Sequence, residues 1–313
     1  MLIKLAKYVC ILLFTVTLTA CQLPGLSGSN PDENVVITGG GTSEADILAY
    51  IIAGMLEEYA DIKPAVIPGL ASSSLNHYAM VNGDANISAS RFTGTAVTGE
   101  LGLEAIRNPK LAEETVQKHF KEDFNQKWYP SYGYENTYAF LMRKDDAERL
   151  GIEKVSDLAE HAASLEVATD INWLNREGDG YEAFQEIYGF AFPNMTPMVL
   201  SLTYEALAGG DVDVILGYST DAKILAYDLA IIEDDLQLFP PYETAFVASY
   251  DLLAEQPEID DILQKLVGQI DEETMQSLNY QSDAYLLEPE AVARQFLESQ
   301  DYFRNVNPSQ GGA

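Results

Sequence analysis

The 313-residue chain is short of cysteine, histidine and basic residues, and each shortage removes a class of function. It has two cysteines, and its three histidines, His77, His119 and His161, stand far apart. No His-x-His, His-Glu-x-x-His or cysteine pair is present to build a metal site, so each histidine reads as a surface or capping residue. Lys and Arg total 18 against 49 Asp and Glu, a formal net charge of −31. So acidic a surface repels phosphates, which excludes nucleic acid as a partner and fits a chain adapted to a saline or alkaline habitat. There is no Gly-x-Ser-x-Gly nucleophile elbow, and the spacing of the carboxylates selects no glycosidase pair. The triple glycine Gly39-Gly40-Gly41 lacks both the Walker lysine and the Gly-x-Gly-x-x-Gly pattern, so no nucleotide, cofactor or metal is called for. The reading that remains is a binding protein, not an enzyme.

Long apolar runs are also missing. The one near the N-terminus, from about Tyr8 to Leu18, falls short of the roughly 20 residues needed to span a bilayer. It follows Lys4 and Lys7 and ends in Leu18-Thr19-Ala20-Cys21, the pattern of a lipoprotein signal peptide over residues 1–20 with Cys21 as the lipidated mature N-terminus. Cys10 would leave with the signal, and so would two basic residues, giving 16 against 49 and a net charge of −33. The single remaining cysteine is acylated in this reading, so no disulfide forms. Residues 21–34 are rich in Gly, Ser and Pro and read as a flexible tether holding the protein at the membrane.

From Val35 onward short apolar runs alternate with helical periodicity, an α/β signature in a length that suits two lobes. Val35-Val36-Ile37 and Ala65-Val66-Ile67 read as strands. Leu48, Ile51, Ile52, Met55 and Tyr59 fall on one helical face, and Ser72-Ser73-Ser74 reads as an N-cap cluster. The glycine loop reads as a turn that turns amides and Thr42 or Ser43 toward a ligand carboxylate. Helices are predicted over Leu111–Trp128 and Val155–Ala162, and a strand over Leu165–Thr169. A helix ends at Tyr204–Leu207 before Gly209-Gly210, and the β-branched run Val212–Leu216 delivers Tyr218 at a strand's carboxyl end. Ligands in open α/β sheets bind beyond that end.

Aromatic residues are what the chain does have in concentrated form. Trp128 to Tyr138 holds five in eleven residues, read mainly as a packing segment between lobes. Tyr218 in Gly217-Tyr218-Ser219-Thr220-Asp221, Tyr242 after Phe239-Pro240-Pro241, Phe92 in Arg91-Phe92-Thr93-Gly94-Thr95 and Tyr138 in Asn136-Thr137-Tyr138 stand instead at strand ends and loops. Together they suggest a box for a quaternary ammonium ion. Such an ion cannot donate hydrogen bonds, so ring faces must replace its water, at about 0.5–2 kcal/mol each. Arg176 in Asn175-Arg176-Glu177-Gly178-Asp179 either forks a ligand carboxylate or pairs with Asp179 at the surface; spacing alone favours the pair.

In this order Phe92–Thr95, Asn136–Tyr138, Arg176 before Asp179-Gly180, Gly217–Asp221 and Asp234-Asp235 through Tyr242 resemble the glycine betaine/carnitine/choline substrate-binding proteins of osmoprotectant ABC importers. The resemblance runs from Val35 to about Phe303. It implies a two-lobe periplasmic-binding-protein fold (type II), each lobe a mixed sheet flanked by helices, with the ligand in the inter-lobe cleft. It also implies a monomer that hands a compatible solute to an ABC permease driven by a separate ATPase. Phe92, Tyr138, Tyr218 and Tyr242 would form the cage, and Thr95 and Arg176 would hold the polar end. Two positions depart from the family pattern: Phe92 where tyrosine is usual, and Gly40-Gly41-Thr42 where some members carry a lysine. Choline, which has no carboxylate, therefore stays open as a ligand. Residues 35–134 and 242–308 would form lobe one and 135–241 lobe two, closing about a hinge. The alternatives are a binding lipoprotein for an amino acid or other amine and, more remotely, a secreted hydrolase.

Overall fold

A computed structural model describes residues 34–70, 72–176 and 178–306. The signal peptide, most of the tether and Cys21 lie outside the described residues. Among those described, no helix is long and apolar enough to cross a membrane. Two five-stranded mixed sheets organise the chain. The first has the order β2-β1-β3-β10-β4, from Val36–Thr38 (β1), Ala65–Ile67 (β2), Ile87–Phe92 (β3), Gln126–Trp128 (β4) and Thr244–Ser249 (β10). The second has the order β7-β6-β8-β5-β9, from Tyr138–Arg143 (β5), Val167–Thr169 (β6), Met195–Pro197 (β7), Val214–Tyr218 (β8) and Leu229–Ile232 (β9). Within each sheet two neighbouring pairs are parallel and two antiparallel, so β10 in the first and β5 in the second run against the other four strands. The chain crosses between the sheets twice, after β4 and before β10.

The helices used below are α1 (Ser43–Ala60), α2 (Ser73–Asn82), α3 (Pro109–Phe124), α4 (Leu200–Gly209), α5 (Ala222–Ala226), α6 (Glu272–Asp283) and α7 (Pro289–Ser299). Helix α1 shows how sequence sets an element. Thr42 Oγ1 accepts from Ala45 N at 3.3 Å, Glu44 and Asp46 sit at the positive end of the helix dipole, and Asp61 in the left-handed region stops the helix. Its apolar face, Ile47, Leu48, Ile51, Ile52 and Met55, is completely buried against the first sheet and α7. At about 1.5–3 kcal/mol per large side chain, that face alone contributes on the order of 10 kcal/mol to the core before chain entropy opposes it.

Three sequence expectations change. The helix predicted over Leu111–Trp128 ends at Phe124, because Asn125 takes a left-handed C-cap and Gln126–Trp128 becomes β4, pairing with β10 through Trp128 and Val247. Val155–Ala162 forms only a 3₁₀ segment, Val155–Glu160. The aromatic run does not pack between lobes: Tyr129, Tyr132 and Tyr134 are buried in the first sheet's core, where Tyr129 stacks on Phe246 at 4.6 Å and the Tyr132 hydroxyl donates to Ala89 O at 2.8 Å. Trp128 packs edge-on to Phe120 at 4.8 Å.

Candidate functional site

A cavity of about 540 Å³ opens between the two sheets, and all six sequence-predicted ligand residues line it: Phe92, Thr95, Tyr138, Arg176, Tyr218 and Tyr242. Phe92 ends β3, and the turn that follows carries Thr95. Tyr138 opens β5 and Tyr218 closes β8; the two strands are antiparallel with these tyrosines paired in register. Their rings therefore stack, with centroids 5.0 Å apart and planes 21° from parallel. Behind Tyr138 the ring of Phe239 lies 5.5 Å away, almost fully buried.

Two glycines make the arrangement possible by close approach. A Cβ on Gly94 would stand 2.8 Å from Pro241 O and 3.1 Å from the Tyr242 ring, so only glycine lets the Thr93–Thr95 turn lie against Tyr242. Thr93 fixes that contact, its hydroxyl donating to Pro241 O at 2.9 Å. A Cβ on Gly217 would stand 2.3 Å from the Tyr204 hydroxyl. That hydroxyl, of buried Tyr204 on α4, accepts the Tyr218 N–H at 3.1 Å and anchors the backbone under the exposed ring. Asp234 sets the Phe239 turn: its carboxylate accepts from Leu238 N at 3.0 Å, from Phe239 N at 2.9 Å and from the Tyr188 hydroxyl.

Arg176 combines both readings of the sequence. Its Nε donates to Asp179 Oδ1 at 2.5 Å, and its Nη2 donates to the Tyr242 hydroxyl at 2.9 Å. The guanidinium carbon also lies 5.5 Å from the centre of the Tyr138 ring. Burial works against its charge, but the bond to Asp179 and the nearness of Tyr242 outweigh it and raise its pKa, so Arg176 stays cationic. Trp173 holds the segment in place, its Nε1 donating to Asp179 O at 2.9 Å. Burial raises the pKa of the Tyr218 hydroxyl, with Tyr138 adding to the effect, and burial raises Tyr242 against the pull of Arg176. Both rings remain neutral phenols at physiological pH.

The glycine loop is used differently from the expectation. Thr42 caps α1, the Ser43 hydroxyl donates to Asp283 Oδ1 at 2.6 Å, and Gly40 N donates to Asp46 Oδ1 at 3.1 Å, although Gly40, Gly41, Thr42 and Ser43 all border the cavity. The reading of His77 as a surface or capping residue also changes. Its ring packs 4.6 Å from Phe124, and burial, with Arg91 nearby, lowers its pKa to about 4. Glu44, Asn136 and Asn279 also border the cavity and are not among the ligand contacts expected from the sequence. Asn136 lies in the Asn-Thr-Tyr motif and had a signal; Glu44 and Asn279 sit among polar helix residues and had none. No group of three or more His, Cys, Asp or Glu able to hold a metal occurs among the described residues.

Two mixed sheets joined by two crossings, with an aromatic-rimmed cavity between them, define the class of two-lobed solute-binding proteins. Residues 33–299 match the family model for the substrate-binding domain of the ABC-type glycine betaine transport system, and the chain belongs to that family. It is 41% identical over 290 residues to the carnitine transport binding protein OpuCC of Listeria monocytogenes, covering 93% of this chain and 94% of that one. A crystal structure of a glycine betaine/carnitine/choline ABC transporter superposes with a TM-score of 0.84 at 44% identity, over 86% of this chain and 99% of that one. Lactococcal OpuAC, closed on glycine betaine, shares the fold at a TM-score of 0.55 and 12% identity, over 87% of this chain and 98% of that one. The chain is thus a substrate-binding protein of the osmoprotectant ABC importer family with the type II periplasmic-binding-protein fold.

Proposed function

We propose that this chain captures a quaternary-ammonium compatible solute (glycine betaine, carnitine or choline) outside the cytoplasm and delivers it to an ABC permease for osmoprotection. Phe92, Tyr138, Tyr218 and Tyr242 form the cage for the ammonium, and Thr95 and Arg176 hold the oxygen-bearing end. The observation that carries this reading is the convergence of four rings, two from each side of the cleft, on one cavity beside a charged arginine. The chain is a monomer tethered to the membrane through lipid on Cys21. Its lobes comprise residues 35–134 with 242–308, and 135–241. Relatives named for carnitine and for glycine betaine support the ligand class.

Calorimetric titration of residues 22–313 with glycine betaine, carnitine, choline and proline at moderate salt tests the reading. Saturable binding of a betaine with proline silent is the expected outcome. Binding of choline alone would remove Arg176 from the site, and silence with all four would overturn the ligand assignment. Radiolabelled palmitate incorporation, lost in Cys21→Ser, tests the anchor.

A further inference from the structure

Ser219 and Thr220 follow Tyr218 directly, and their carbonyls are taken by side chains from the far side of the cleft. Gln276 Nε2 donates to Ser219 O at 2.7 Å, and Asn279 Nδ2 donates to Thr220 O at 2.9 Å. Both donors stand on α6, which packs on α1 behind the first sheet and meets α5 of the other half. Gln276 is 6% exposed and Asn279 5%. Asn279 Nδ2 also donates to Glu44 Oε2 at 3.0 Å, and Glu44 Oε1 accepts from the Tyr134 hydroxyl at 3.0 Å and from Asn136 Nδ2 at 3.1 Å. On its other side Ser219 is bonded to the first crossing: its N–H donates to Thr137 O at 2.9 Å, its hydroxyl donates to Glu135 O at 3.0 Å, and Thr137 N donates to its hydroxyl oxygen at 3.1 Å.

We propose that Gln276 and Asn279, the latter held by Glu44, are positioning residues that brace the Ser219-Thr220 loop against the first half, fix the pivot of lobe rotation and keep Tyr218 in register with the other cage rings. Two crossings alone would leave the halves free to twist as well as to close. The brace adds a third connection and removes the twist. It sits in a buried polar network, where separating α6 from the loop would take the Gln276 amide from its carbonyl and leave the Ser219 and Thr220 carbonyls without their donors. Opening therefore preserves this contact and swings the rest of the second half about it, as hinge motions confine their change to a few residues. The clause about Tyr218 rests on the cage reading; the pivot does not.

The test is pulsed electron-spin distance measurement on the full chain carrying Cys10→Ser and Cys21→Ser, with labels at Tyr78→Cys on α2 and Leu202→Cys on α4, both more than half exposed. Without any ligand, Gln276→Met with Asn279→Leu should broaden the inter-label distribution roughly twofold, and the glycine betaine off-rate should rise about tenfold. Gln276→Glu keeps the side chain's shape but turns its donor into an acceptor, so it should behave like Gln276→Met; a packing role would leave it like the parent. A distribution that superimposes on the parent's, in the double variant or, should that chain fail to fold, in Gln276→Met alone, overturns the brace. If the parent binds no betaine, the cage reading falls, and the ligand-free distances still decide the brace.

Discussion

Truncating Tyr218 to alanine separates a cage wall from a structural aromatic. The ring is 36% exposed and stacks on Tyr138 at 5.0 Å, while its backbone is held independently by the Tyr204 hydroxyl and by the β5–β8 pairing. Removing it forfeits one aromatic pair, about 0.5–1.5 kcal/mol, and partial exposure places the stability cost at the lower end. The affinity cost is larger. One ring face against a desolvated trimethylammonium is worth about 1–2 kcal/mol, so the dissociation constant should rise roughly five- to thirtyfold. Tyr218→Phe keeps the face and should stay within about threefold of the parent. Calorimetry for affinity and thermal unfolding for integrity read the two effects apart. A folded Tyr218→Ala chain that binds its betaine like the parent would refute the argument, because no other account of the stacked pair requires it to touch the ligand.

Arg176→Gln should weaken binding of a carboxylate-bearing betaine about tenfold while leaving choline within about threefold in the same titrations. Equal losses would show that Arg176 acts by holding Asp179 and Tyr242. Gly94→Ala drives a Cβ into Pro241 O and the Tyr242 ring, so the turn or the tyrosine must shift; unfolding in urea should show a loss of about 1–3 kcal/mol, together with weaker ligand binding. Glu243 has its pKa raised to about 7, first by burial and then by Glu113 and Glu135, and Glu272 is raised to about 7 by burial and Glu135. A carboxyl that holds its proton more tightly folded than unfolded stabilises the protein fully below the usual carboxylate range, and that contribution is lost as pH rises through 7. The melting temperature should therefore fall between pH 5 and pH 8. Glu243→Gln should flatten the fall by raising the value at pH 8, and an unchanged profile would contradict the burial of that carboxyl.

The residues that border the cleft are more legible in the sequence than the scaffold that holds them. Tyr218 could be found because a β-branched run pointed to a strand and placed the tyrosine at its carboxyl end, and the structure puts it at the end of β8. The end of α3 was harder to place. Helical periodicity carries through Phe124 to Trp128, and only the left-handed backbone of Asn125 and the pairing of Trp128 with Val247 convert the last residues into an edge strand. The run holding Tyr129, Tyr132 and Tyr134 suggests packing between lobes, but their partners, Phe246, Ala89 and Glu44, are forty or more residues away in sequence and belong to one side. Gln276 and Asn279 gave no signal at all. They sit in a helix whose composition suits a solvated face, and their burial follows from a loop 57 and 59 residues distant.

Charge geometry at the cleft bears on which solute the proposed cage favours. The Arg176 guanidinium already lies over one face of Tyr138, so a second cation gains little from that face and is repelled there. In the proposed cage the ligand's ammonium would lie nearest Tyr218 and Phe92, because Arg176 sits over Tyr138 and bonds the Tyr242 hydroxyl. Its anionic end is drawn the other way: guanidinium has five N–H donors, of which Asp179 and Tyr242 engage two among the described residues. A zwitterion satisfies both demands in one orientation, whereas choline meets the repulsion without the compensating fork. The brace at Ser219 and Thr220 adds the mechanical half, because a dipole bound across Arg176 and Tyr218 is gripped only while Tyr218 keeps its place relative to the first sheet. Betaines should thus bind ahead of choline, by a margin that shrinks in Arg176→Gln. If choline bound as tightly to the parent as glycine betaine and carnitine do, the orienting role given to Arg176 would be lost, even with every ring of the cage in place.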